Sequence, residues 1–116
     1  MQEKETKNKE ELIKYKDLID TVIEGLNYVN SKLKAGEFDK SIVIFSEMIT
    51  GINTVMSGVG NKLNTKPHEM EGFKSKVDEY LELIVSAFEQ GDSKNIIFNI
   101  DTILIPFMKE IQTYCY

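Results

Sequence analysis

Residues 12–36 read LIKYKDLIDTVIEGLNYVNSKLKAG, and this stretch decides the fold. Its apolar side chains Leu12, Tyr15, Ile19, Val22, Leu26, Val29 and Leu33 recur at alternating intervals of three and four. That spacing lays one continuous stripe along a 3.6-residue helix. Leu18 and Ile23 widen the stripe beyond the two-per-heptad seam of a coiled coil, so a globular bundle is expected. The pattern stops at Lys34-Ala35-Gly36, where glycine suits the left-handed residue that ends a helix.

Three further stripes follow. Phe38, Ile42, Phe45, Ile49, Ile52, Met56 and Val59 form the second, thickened by Ile44, Met48 and Val55, and it fades in Ser57-Gly58-Val59-Gly60-Asn61. Met70, Phe73, Val77, Leu81, Ile84 and Phe88 form the third, which ends at Glu89-Gln90-Gly91. Asp92 and Ser93 are both good N-caps, and they precede the fourth stripe of Ile97, Ile100, Leu104, Phe107, Ile111 and Tyr114. Ile42-Val43-Ile44-Phe45 and Ile96-Ile97-Phe98 are locally β-prone, but the long helical period around them overrides that propensity through burial. Short loops at 35–37 and 90–92 make chain neighbours antiparallel. The expectation is therefore an all-α, antiparallel four-helix bundle made of two similar helical hairpins. It forms one domain over 1–116, with 1–10 a frayed helix start or disordered tail, a hairpin over 11–60, a linker over 61–68 and a hairpin over 69–116.

The halves resemble each other at a shift of 55 residues. Val22 falls on Val77, Leu26 on Leu81, Gly36-Glu37 on Gly91-Asp92, Phe45 on Ile100, Ile49 on Leu104 and Ile52 on Phe107. The matched Gly-acid loop favours a duplication over the chance likeness of any two helical hairpins.

Composition narrows function. Net charge is −5 and no arginine is present, which disfavours nucleic acid as a partner because phosphate recognition needs a basic surface and benefits from the guanidinium fork. Abundant Lys, Ile and Asn with scarce Ala and Pro is the bias of an AT-rich genome and points to a low-GC bacterium. The opening MQEKETKNKEEL lacks an apolar signal core, and no apolar run is read as long enough to span a bilayer, so the expected address is the cytoplasm, without membrane contact.

Catalytic and metal chemistry find little support. The single histidine, His68, follows Pro67 in the expected linker and does not match the helix-borne, solvent-facing histidine of a phosphotransfer bundle. Glu-x-x-His is absent, so the di-iron bundle pattern fails. Asp17, Asp20 and Glu24, like Asp78, Glu79 and Glu82, read as solvated helix faces; Asp101, among Ile97, Ile100 and Leu104, reads as a cross-helix or capping hydrogen-bond group. No phosphate loop, nucleophile elbow or zinc spacing occurs. No enzyme activity, cofactor or metal is expected. The lone Cys115 makes no internal disulfide and is read as incidental, with crosslinking of two copies on oxidation as the alternative.

Gly25, Gly51 and Pro106 break the helical rules, at a combined cost of order 5 kcal/mol. Close packing at the glycines and a tolerated kink at Pro106 is one reading; a bend or hinge that shapes a groove is the other. On the second, Pro106→Ala raises stability and weakens partner binding. Tyr28, Met48, Met108, Tyr114 and Tyr116 are the candidate partner contacts, the methionines because they adapt to varied surfaces.

Two short resemblances add to this. Lys34-Ala35-Gly36-Glu37-Phe38-Asp39 and Gln90-Gly91-Asp92-Ser93 look like the Gly-acid-aromatic turn of small bacterial helical-hairpin families, flagellar export chaperones among them. Gly91-Asp92 through Asp101-Thr102-Ile103-Leu104-Ile105-Pro106 resembles the C-terminal hairpin of an uncharacterised family of short bacterial helical proteins. The resemblance implies a bacterial, non-enzymatic helical protein and supplies no site residue. The expected function is a protein-interaction module, an adaptor or export-chaperone-like bundle taking a partner helix in a hydrophobic groove. The alternative is a small-molecule-binding or sensory bundle with its ligand near Gly25, Gly51 and Pro106. A spare apolar face is compatible with a homodimer in either case.

Overall fold

The computed structural model describes the backbone of residues 2–62 and 67–115 and the side chains of 10–59 and 71–115. Five helical segments follow one another: α1 (Gln2–Lys34), α2 (Phe38–Lys62), α3 (Pro67–Glu89), α4 (Ser93–Asn99) and α5 (Ile105–Thr113). A π-helical turn (Ile100–Leu104) joins α4 to α5 without a break, making one fourth helix of the bundle. No strand occurs among the described residues, and both β-prone runs are helical. The long axis of the molecule, 53 Å, is about the length of α1.

Helix ends differ from expectation in two places. The backbone of α1 is helical from Gln2 rather than frayed through residue 10, consistent with the Glu, Lys and Gln content of that stretch, all good helix formers. Helix α2 continues through Gly58 and Gly60 to Lys62, and α3 starts at Pro67, which suits the first turn of a helix. The linker expected over 61–68 is therefore shorter, and residues 63–66 lie outside the described residues.

The stripe on α1 is the buried face: Ile19, Val22, Leu26, Val29 and Leu33 are all core residues. On α3 the core residues are Val77, Leu81, Ile84 and Ala87, with Phe73 and Phe88 packed against them. Helix α1 packs most closely on α2 and also against the fourth helix, α3 packs on α4 and the π turn, and α2 and α3 meet only sparsely. The fourth helix thus has neighbours on two sides.

Both short loops close the preceding helix in the same way. Gly36 (φ 78°) and Gly91 (φ 66°) occupy the left-handed region, which a residue with a Cβ enters at a cost. Gly36 N–H donates to Leu33 O and Glu37 N–H to Lys32 O; Gly91 N–H donates to Phe88 O and Asp92 N–H to Ala87 O. Each pair is a Schellman motif, satisfying carbonyls that a helix end leaves without partners. The Asp92 carboxylate then caps α4 by accepting from Asn95 N–H at 3.2 Å.

The fourth helix departs most from its sequence pattern. Proline at 106 has no N–H to offer the carbonyl four residues back, and its ring crowds that turn. The helix widens just before it, and Ile105 N–H donates to Ile100 O, five residues back. A π turn holds one residue more than an α turn, so the buried face beyond it is rotated: Phe107 and Ile111 stay buried as expected, and Met108 joins them. Met108 and Cys115 are fully enclosed, while Tyr114 is 37% exposed. The expected stripe ending in Tyr114 is corrected on this point; Gly51, which falls on Pro106 at the 55-residue shift, lies in ordinary α-helix.

Helix α2 carries another correction. Phe38–Val59, 22 residues of mean hydropathy 1.5, is long and apolar enough by length and composition to cross a membrane, and only 28% of it is buried. Between Lys40 and Lys62 its only charged residue is Glu47; the rest is Ile, Val, Met and Phe interleaved with Ser, Thr, Asn and Gly. A core helix of a globular protein passes the same test.

Candidate functional site

The sparse contact between α2 and α3 leaves a groove. Ile42, Ser46 and Ile49 of α2 face Val85, Phe88 and Glu89 of α3 across a depression of about 270 Å³. It runs without interruption into a second of about 490 Å³, sharing Ile49, Val85 and Glu89 and continuing past Leu81 to Glu82 and Asp78. Below Asp78 it reaches Asn53 and Met56 opposite Lys74 and Val77. The loop end is shut by three rings: Phe88 lies 5.7 Å from Phe38 and 5.1 Å from Phe45, centroid to centroid. Ile42 and Val85 are 39% and 38% exposed, a large fraction for aliphatic side chains facing each other.

The two walls differ in charge. The α3 wall carries Asp78, Glu82 and Glu89, none of which has an ion pair or hydrogen bond among the described residues. The α2 wall carries none among these lining residues, and the Ser46 hydroxyl is bonded to its own helix, Oγ donating to Ile42 O at 3.0 Å. Hydroxyls already bonded to their own helix lose little when water is removed from them.

The sequence candidates are not gathered at this groove. A Cβ at Gly25 would collide with the thioether of Met48, and one at Gly58 with the ring of Tyr15; at Gly51 it would stand 3.1 Å from Val22 Cγ2. Glycines 25 and 51 therefore let α1 and α2 approach closely, which is the packing reading, and the space beside them is filled by Met48 and Val22. Met48 is half-buried in that contact. Pro106 is exposed and lines no part of the groove. Met108, expected as a partner contact, is completely buried beside Phe107 and Ile111 on the inward face beyond the π turn. Tyr28 is 51% exposed, with the Lys32 ammonium 5.1 Å from its ring centroid. Tyr114 leans on Phe73, centroids 5.5 Å apart, and Tyr116 lies outside the described residues. His68 lies in the first turn of α3.

Cys115 is buried against the end of α5, its Sγ 3.8 Å from Ile111 O. Burial pushes its thiol up from the ordinary value, so it stays protonated at neutral pH. The crosslinking role read from sequence is corrected accordingly: a thiolate exposed at the surface is what that chemistry needs. Among the described residues no group of three or more His, Cys, Asp or Glu is placed to hold a metal.

A polar contact inside the bundle was only half legible. Asn30, 3% exposed on α1, donates from Nδ2 to Asp101 Oδ1 at 2.8 Å and to Ile97 O at 3.4 Å. Asp101 begins the π turn's second residue, so this amide ties α1 to the point where the fourth helix widens. Farther along, Gln112 Nε2 donates to Asp20 Oδ1 at 2.6 Å and Lys16 O at 3.0 Å. The acid at Asp101 was singled out from sequence; its partner was not, because Asn30 sits next to the Val29 stripe with nothing in its spacing to mark it.

A family model for a domain of unknown function, DUF8042, matches residues 10–114. The chain belongs to that family. The match spans all four bundle helices, so the groove, both Schellman turns and the π turn lie within the DUF8042 domain. No curated protein matches the DUF8042 chain. No solved structure matches it either.

Proposed function

We propose that this DUF8042 chain is a non-enzymatic protein-interaction module, an adaptor or export-chaperone-like bundle, that seats a partner helix between α2 and α3. One observation carries the reading: two helices with apolar facing sides stand apart, leaving Ile42 and Val85 exposed and Ile49 half-buried beside a wall of α2 that lacks charge. Depletion of charge is the compositional signature of interface cores. The proposed setting, the cytoplasm of a low-GC bacterium, is supported by composition.

The finer architecture belongs to the same proposal: two antiparallel hairpins related by duplication. Support comes from α1–α2 neighbours, where Tyr15, Val22 and Gly25 face Gly58, Gly51 and Met48, so one helix ascends as the other descends. The two Schellman turns, whose hydrogen bonds correspond residue for residue at the 55-residue shift, support the duplication.

A photo-crosslinking residue placed at Val85 in the native host tests the groove, with Leu83, 48% exposed on α3 but outside the groove, as control. One dominant protein adduct at position 85 that is absent at 83 is the expected result. Identical adduct patterns at the two positions would remove the groove from the proposal.

A further inference from the structure

We infer that the occupant of the groove is an amphipathic helix bearing lysine or arginine along one flank, held with that flank against α3; the inference rests on the groove reading above. Asp78, Glu82 and Glu89 lie on the groove side of α3 and span three turns, roughly 16 Å. Each is exposed and without a cationic partner among the described residues. Glu37, at the turn before α2, takes Lys32 at 2.8 Å and Lys40 at 3.1 Å by contrast. Lys74 stands at the far end, beside Asp78, so the unbalanced negative stretch is confined to the turns between Asp78 and Glu89.

Across from those carboxylates, the α2 wall offers Ile42 and Ile49 with self-bonded Ser46. The groove is thus chemically one-sided, apolar along α2 and acidic along α3. A helix filling it needs an apolar stripe for Ile49, Leu81 and Val85 and a basic edge on one side only. The Phe38–Phe88–Phe45 stack closes the loop end, so the occupant lies lengthwise and stops there. A second copy of this chain is a poor occupant, because a net charge of −5 sets like charge against the acidic wall. An anionic bilayer meets the same repulsion.

The test uses two fluorescent 18-residue helical peptides with the same leucine stripe, one flanked by lysine and one by glutamate, titrated with the full chain. Each exposed ion pair is worth about twofold to fivefold, so three give the lysine peptide a preference of roughly tenfold or more at low salt, shrinking as salt rises. Asp78→Lys with Glu82→Lys reverses the preference, and Val85→Glu abolishes binding of the lysine peptide while circular dichroism stays unchanged. Equal binding of both peptides, still blocked by Val85→Glu, overturns the basic flank and leaves the groove reading standing. Binding of neither peptide, or binding indifferent to both Val85→Glu and Ile49→Glu, overturns the groove itself. Light scattering that shows a dimer dissolved by Val85→Glu, or flotation with phosphatidylglycerol vesicles, overturns the inference in favour of a second copy or a bilayer.

Discussion

Helix α2 and the fourth helix occupy equivalent places in the two halves of the sequence, yet they have opposite surroundings. Ile100 and Leu104 are completely enclosed between α1 and α3; of their counterparts at the 55-residue shift, Phe45 is buried against the Phe88 ring and Ile49 is half-buried and lines the groove. Both Asp101 and its counterpart Ser46 are exposed, but Asp101 receives a hydrogen bond from buried Asn30 of α1, whereas Ser46 bonds to its own helix. Two helices with the same stripe therefore serve different ends, one filling the centre and the other presenting a surface. Apolar periodicity says which side of a helix is sticky, and it does not say how many neighbours will cover that side.

The largest effect separating the two helices comes from matched truncations. Leu104→Ala empties an enclosed site and is expected to cost about 3 kcal/mol, against about 1 kcal/mol for Ile49→Ala in the open groove. Urea unfolding of both variants measures the gap, and equal costs would break the comparison. Asn30→Asp sets a second carboxylate against Asp101 and is expected to cost about 2 kcal/mol at neutral pH. Repulsion raises one carboxyl above its unfolded value, so this penalty is relieved as pH falls and that group takes a proton. Unfolding at pH 7 and pH 4 should show the relief.

Pro106→Ala restores a backbone donor on an exposed face and is expected to stabilise by about 1 kcal/mol. Because Pro106 lines no part of the groove, peptide affinity should stay unchanged, and a weakened affinity would revive the bend-shaped groove considered from sequence. The smallest effect is at the turn that starts α2. Hydrogen bonds from Lys32 and Lys40 hold Glu37 below the usual carboxylate range, and the bond to Glu37 lifts Lys32 above its ordinary value. The resulting stability is present above the unfolded carboxylate pKa and fades as pH falls through the lowered Glu37 value; on the alkaline side it fades as pH rises through the raised Lys32 value. Melting curves of Glu37→Gln and the parent should converge at low pH and in high salt.

Much of the bundle was legible because helical burial has a fixed period. The α1 stripe from Ile19 to Leu33 needed no correction, and the left-handed positions at Gly36 and Gly91 follow from glycine's freedom at positive φ. What sequence missed are places where one residue depends on a distant neighbour. The π turn arises from Pro106 but shows its effect at Met108 and Cys115, and the Asn30–Asp101 bond joins positions 71 residues apart. The groove was expected as a kind of feature and not at its location, since Gly25 and Gly51 mark where helices come together rather than where they part.

The π turn also bears on how this chain tolerates changes in length. A turn that already holds one residue more than an α turn is a place where a one-residue deletion can be absorbed by straightening the helix. Such a deletion within Ile100–Leu104, accompanied by loss of Pro106, would leave Met108 and Cys115 in their inward places, because the straightened helix drops only the extra residue that the wide turn holds. Family members that differ by a single gap here would keep the same bundle and bury the same face of their last helical segment.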